Sequence, residues 1–305
     1  MTDRDPMAPP RDAQAQPAQP TPTATSPARQ RVTLAVLSLA AFMAALDLFI
    51  VNVAFRDISE SFPDQSLSDQ SWVLNAYAII YAALLVPLGR RADQRSRKTG
   101  FIFGLTVFTI ASLVCAIAPS LLVLVIARAA QAVGAAALTP TSLGLIVQTF
   151  QGPARARAIR FWAATGAIAA AAGPVLGGFL VELSWRWVFI INLPTGLIAI
   201  IVAVRVLEDG RDTNDQPSPR PLGGLLIILA IGALALALVK GNDWGWTNGR
   251  TAVVAVVAVV ASVAVAAQIA RSDRPLVEPA LLQVKTFRWA NISIIGFGAA
   301  FAGFL

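Results

Sequence analysis

Asp47 stands alone in an uncharged run from Val32 to Phe55, long enough to cross a bilayer, whose hydrocarbon core takes about 20 apolar residues. A carboxylate inside that core costs roughly 2.5–3.5 kcal/mol on insertion scales, and Asn or Leu would insert more cheaply. A membrane-embedded acid therefore reads by default as an ion, proton or substrate site. Arg128 is the other charge deep in an apolar segment. Asp47 lies about 15 residues along its segment, roughly 22 Å, and Arg128 about seven residues into a segment running the other way, roughly 10 Å. In a core about 30 Å thick the two depths coincide, and charges at such depth pair or line a wet cavity. The expectation is that they meet, with Asp47 exchanging a proton for a substrate cation and Arg128 as its electrostatic partner. The plainer alternative is a static ion pair that locks two helices together.

Two further constellations have chemistry in them. Gly89-Arg90-Arg91-Ala92-Asp93-Gln94-Arg95-Ser96-Arg97-Lys98 follows the second apolar segment. Gly89 permits close backbone approach, and Asp93 is expected to cap the next helix and hold Arg97 across a loop. A basic loop alone would be only an anchor; Gly, Asp and paired bases at this spacing say more. Gly173-Pro174-Val175-Leu176-Gly177-Gly178 lies in the fifth segment. Small residues let membrane helices pack backbone to backbone, and Pro174 permits a kink, so packing and a gating hinge explain the run equally well. Glu182, near the outer end of that segment, is a lesser candidate.

These groups must be carried by membrane helices. The 305 residues are 56% hydrophobic and 13% charged, against about 25% charged in soluble domains. Apolar segments recur near 32–55, 70–88, 99–118, 121–149, 158–182, 187–206, 222–240, 251–270 and 289–305. Residues 1–30, rich in Pro, Ala, Gln and Thr, read as a disordered tail. The last segment is still apolar at Leu305, which reads as a fragment or a truncated gene. The net charge of +7 does not point to nucleic acid, because the bases sit in short loops between apolar segments. Nineteen of the 24 Lys and Arg residues fall on the side of the amino terminus and four on the other, leaving Arg128. The positive-inside rule then puts the amino terminus in the cytoplasm. Cys115 is the only cysteine and histidine is absent, so there is no disulfide framework and proton chemistry falls to Asp or Glu. No His/Cys metal cluster, P-loop or nucleophile elbow is present, and neither a cofactor nor an enzyme activity is expected. Arginine-rich, alanine-rich composition suits a GC-rich bacterium and its cytoplasmic membrane.

Taken in order along the chain, these motifs resemble the major facilitator superfamily, in particular its drug:proton antiporter branch with fourteen spans. Leu46-Asp47-Leu48-Phe49-Ile50-Val51-Asn52-Val53-Ala54 is similar to that branch's first-helix signature, and Trp72, Ala76, Tyr77, Ala82, Pro87 and Gly89 match its second helix. The loop from Gly89 to Lys98 resembles the superfamily's cytoplasmic gating motif but departs from it at Arg91, Gln94 and Ser96, where leucine, arginine and glycine are usual. Arg128-Ala129-Ala130-Gln131-Ala132-Val133-Gly134-Ala135 resembles the fourth-helix motif whose arginine is linked to proton coupling. Gly173-Pro174 with Gly177-Gly178 is similar to the helix-five motif of exporters. Trp185 to Gly196 is close to the branch's approach to its sixth helix.

The resemblance implies an all-α membrane protein with a six-helix amino-terminal bundle over 31–207, made of two inverted three-helix repeats. It also implies two linker helices in 222–271 between cytoplasmic loops at 208–221 and 272–287, and the first helix of a second bundle from 288. The implied function is proton-coupled export of lipophilic or cationic small molecules. Its partners would be that substrate, protons, the bilayer and a missing carboxy-terminal half. A metabolite or siderophore exporter of the same fold, and a non-transporting membrane protein, stay open as alternatives.

Overall fold

The computed structural model describes residues 26–208, 221–271 and 283–304. Most of the expected tail and of the expected loops at 208–221 and 272–287 lies outside the described residues. Every described element is helical: α1 (Pro27–Ser61), α2 (Leu67–Gln70), α3 (Trp72–Gln94), α4 (Arg97–Ala116), α5 (Leu121–Thr149), α6 (Gly152–Val181), α7 (Trp187–Ile190), α8 (Asn192–Val206), α9 (Pro221–Trp244), α10 (Gly249–Arg271) and α11 (Lys285–Phe304). Among the described residues eight stretches are long and apolar enough to cross a membrane, with α2 running into α3 and α7 into α8 as single spans. The chain is thus a multi-pass, all-helical membrane protein.

Three helix starts are written in the sequence as serines. Ser66, Ser96 and Ser120 each accept a hydrogen bond from the backbone N–H three residues on, at 3.1, 3.1 and 3.4 Å, satisfying an amide that the helix itself leaves free. One expectation is corrected here. The loop expected over 90–98 is helix through Gln94 and again from Arg97, and Ser96, not Asp93, caps α4. Hydropathy marks the hydrocarbon crossing alone. Arg, Lys and Glu are good helix formers, so α1, α3 and α6 continue through their charged ends.

Helices α3 and α4 both pack on α5. A Cβ on Gly134 would stand 2.6 Å from the Phe108 backbone nitrogen and 2.7 Å from the Gly104 carbonyl oxygen, so α4 and α5 meet backbone to backbone. Gly89 makes room for the Pro140 ring of α5, whose Cβ would stand 2.9 Å from an added Cβ. The buried side chains fall into two layers. One gathers Leu37, Ala40, Met43, Phe101, Leu105, Phe108 and Leu138; the other gathers Leu46, Ile50, Val51, Leu121, Leu124, Val188 and Phe189. On α1 the boundary passes between Ala44 and Leu46, next to Asp47.

The linker helix α9 packs on α3. Lys240, one of the four bases placed on the side away from the amino terminus, lies inside α9 and is only 2% exposed. Its ammonium donates to Asp243 Oδ2 at 2.7 Å, Ser68 Oγ at 2.9 Å and the Ser68 carbonyl at 3.2 Å. It also lies 5.1 Å from the centre of the Trp72 ring.

Candidate functional site: a buried carboxylate–guanidinium cluster

Asp47 on α1 and Arg128 on α5 form an ion pair, Nη1 to Oδ2, with side chains 0% and 1% exposed. Five helices, α3, α4, α5, α7 and α8, contribute to what surrounds it. Gln131, one turn after Arg128 on α5, donates from Nε2 to Asp47 Oδ1 at 2.8 Å and accepts from Arg128 Nη1 at 2.7 Å. Gln131 also donates to Ser112 Oγ of α4 at 2.8 Å. Asn192, the first residue of α8, donates to Asp47 Oδ1 at 3.3 Å and to Ser112 Oγ at 3.4 Å. Arg128 Nε donates to the carbonyl of Val73 on α3 at 3.1 Å. Its guanidinium carbon sits 4.1 Å from the centre of the Tyr77 ring and 5.8 Å from that of Phe189.

Both carboxylate oxygens are therefore occupied, and the charge is sealed from solvent. Removing one partner from such a pair leaves an uncompensated charge at a cost of about 3–5 kcal/mol. The cluster also lies where the two apolar layers meet, so it is the polar seam of the core. Chemically it can hold Asp47 ionised while Arg128 faces it. It can also change state when a proton neutralises the carboxylate, because Arg128 then loses its counter-charge.

The other expected residues divide. Arg97 Nε donates to Asp93 Oδ1 at 2.7 Å, and the Arg97 stem lies over Gly144 of α5, where a Cβ would come within 2.8 Å of it. Arg97 thus ties the α3–α4 corner to α5, with Lys98 half-buried beside it. The α6 motif splits by face. A Cβ on Gly173 would stand 2.7 Å from Phe49 Cβ, and one on Gly177 would stand 3.0 Å from Val53 Cβ, whereas Gly178 has nothing within 4 Å. Pro174 is exposed on the face away from α1. Two of the expected residues stand apart from the cluster. Asn52 is exposed and bonds its own helix at the Leu48 carbonyl, 2.7 Å away; Glu182 is exposed in the turn after α6. Ser112 and Asn192 were not foreseen as site residues. The signal for Asn192 was an amide placed inside an apolar approach to a span.

Along the first half of α1, α1 and α6 leave an open cavity of about 400 Å³ lined by Arg31, Leu34, Ala35, Ser38, Leu39, Phe42, Phe161 and Thr165. Ser38 Oγ is buried there with no hydrogen-bond partner. Among the described residues no group of three or more His, Cys, Asp or Glu could hold a metal ion.

Residues 37–305 match the Major Facilitator Superfamily. The chain is 35% identical over 268 residues to the multidrug resistance protein Stp of Mycobacterium tuberculosis, covering 87% of this chain and 49% of Stp. It is 37% identical over 275 residues to the methylenomycin A resistance protein of Bacillus subtilis, covering 89% and 58%. It thus spans about half the length of these relatives. A crystal structure of the peptide transporter POT superposes with a TM-score of 0.59 at 14% identity, over 80% of this chain and 52% of that one, a likeness of fold alone.

Proposed function

This chain belongs to the Major Facilitator Superfamily, and from that premise we propose that it forms the amino-terminal part of a proton-coupled exporter of lipophilic or cationic small molecules. The relatives named for multidrug and methylenomycin A resistance support export of drug-like compounds. The observation that carries the reading is the sealed Asp47–Arg128 pair, met on all sides by Gln131, Asn192, Val73 and Tyr77. In the ionised state the pair holds α1 against α5. A proton delivered to Asp47 abolishes the attraction, and Arg128 must then find another acceptor or draw in water, which loosens α1 from α5. Deprotonation on the other side of the membrane resets the pair. The cavity between α1 and α6, walled by Phe42, Phe161 and Leu39 with Arg31 also in its lining, suits a lipophilic molecule. Phe42 is five residues before Asp47, about 7.5 Å along the helix axis, so substrate and proton sites would share α1.

In this reading the amino terminus is cytoplasmic, the membrane is the bacterial cytoplasmic membrane, and a second bundle completes the transport path. Gly89, Asp93, Arg97 and Lys98 act as the corner that locks α3 and α4 to α5 in one state of the cycle. Gly173 and Gly177 give α6 its close seat on α1. The test is efflux of a lipophilic cationic dye by the full-length protein in proteoliposomes, with and without a pH gradient. Gradient-driven efflux that disappears in Asp47→Asn is the expected result. Efflux indifferent to the gradient overturns proton coupling, and undiminished coupled efflux in Asp47→Asn removes that carboxylate from it.

A further inference from the structure

We propose that the crevice at the α3–α4 corner is a binding site for the headgroup of an anionic phospholipid. The crevice encloses about 360 Å³, with Arg91, Arg95 and Ser96 at its rim and Leu88, Phe103 and Ala137 as its wall. Two of the three positions at which this corner departs from the superfamily's gating pattern, Arg91 and Ser96, line this one cavity. Where the pattern has leucine and glycine, this chain places a guanidinium and a hydroxyl. The site is thus a property of this chain rather than of the shared motif.

Charge selects the class of ligand. Asp93, the acid between the two arginines, is engaged by Arg97 at 2.7 Å, and no ion pair joins Arg91 or Arg95 to an acid among the described residues. Both arginines are exposed, and two planar donor forks beside one cavity suit a phosphate, which guanidinium groups bind bidentately. The wall decides between a soluble phosphate and a lipid. Phe103 is 50% exposed and lies six residues into α4, about 9 Å along its axis, so apolar surface begins directly beneath the basic rim. A free phosphate has no use for that surface; an acyl chain has. Basic pockets between membrane helices hold anionic headgroups on the same principle.

The experiment uses the full-length protein, purified in a mild non-ionic detergent and titrated with phosphatidylglycerol, phosphatidylcholine or glycerol 3-phosphate, bound lipid being counted by native mass spectrometry. Phosphatidylglycerol is expected to bind over the other two. Arg91→Leu, which restores the residue usual in the family, is expected to weaken it about fivefold, the equivalent of one basic contact to an anionic headgroup. Arg91→Lys should retain most of the binding and Arg95→Gln should lose a similar share. Melting temperatures of the variants report that the fold is intact, and Arg95→Gln alone carries the test should Arg91→Leu fail to fold. Three results overturn the proposal: phosphatidylglycerol held equally by the arginine variants, glycerol 3-phosphate held as well as the lipid, or no anionic lipid held at all. The last would mean that another part of the full-length protein covers the crevice.

Discussion

Gln131 donates to Asp47 Oδ1 at 2.8 Å, and its own carbonyl oxygen accepts from the guanidinium that neutralises Asp47, at 2.7 Å. One amide thus grips both members of the ion pair, and its second amide hydrogen reaches Ser112 on α4 at 2.8 Å. No residue of that length without both a donor and an acceptor can do this. Gln131 is therefore the residue that fixes how the two charges face each other.

Substitution of Gln131 by Leu keeps the volume and removes these three bonds, two of them to charged groups. Hydrogen bonds to charged groups are worth about 1.5–3 kcal/mol each, and neither charge has water to turn to. We expect Gln131→Leu to destabilise the protein by about 3–6 kcal/mol on that scale, read as thermal unfolding in detergent. Gln131→Glu should behave differently, because it puts a second carboxyl beside Asp47, and like charges at that distance repel. Proton-coupled transport by that variant is expected to have a shifted pH profile, and an unshifted profile would place Gln131 outside the coupling.

The ion pair itself calls for a double-mutant cycle. Asp47→Leu leaves Arg128 buried and uncompensated, and Arg128→Leu does the same to Asp47, each at about 3–5 kcal/mol. The double variant removes both charges and leaves an apolar seam, so its loss of stability should be much smaller than the sum of the singles. Transport should be absent from all three. Additive stability losses would mean that the two charges are not coupled.

The two charges were legible because ionised groups are rare at such depth and their positions along opposed segments gave equal depths. Ser112 and Asn192 were not, since neutral polar residues are ordinary in membrane helices and only the fold shows which of them converge. Helix number and order followed from apolar run length; the fourth run, 121–149, coincides with α5. The ends of α1 did not, because Arg56 and Glu60, paired at 3.0 Å one turn apart, carry the helix past its apolar part. Lys240 was hidden for a different reason. Its partner Ser68 lies 172 residues away, and no local pattern announces a contact of that range.

The α6 motif predicts a contrast between two glycines five residues apart. At Gly173 an added methyl would have to displace Phe49, whose Cβ is 2.7 Å away, while at Gly178 it meets open space. Gly173→Ala is expected to cost about 1–3 kcal/mol as overpacking between α1 and α6. Gly178→Ala should be neutral or stabilising by up to about 1 kcal/mol, the ordinary helix-propensity gain. Thermal melts of the two variants check this. Equal effects would mean that the two glycines do not lie on different faces of α6.

Lys240 offers the sharpest contrast between anchoring and docking. A lysine near a helix end in a membrane ordinarily snorkels to the interface, and its replacement by Met would then be harmless or favourable to insertion. Here the ammonium is turned inward, giving its hydrogens to Ser68 and Asp243 over the Trp72 ring. Asp243 is 41% exposed, so that ion pair adds only about 0–1 kcal/mol, and the bonds to Ser68 of α2, which runs into α3, have to supply the rest. Lys240→Met should therefore free the end of α9 from α3 while leaving the Asp47 cluster in place. The expected readout is faster hydrogen exchange in α9, with exchange in α5 unchanged. Unchanged exchange in α9 would mean that its apolar face alone holds the linker helix to the bundle.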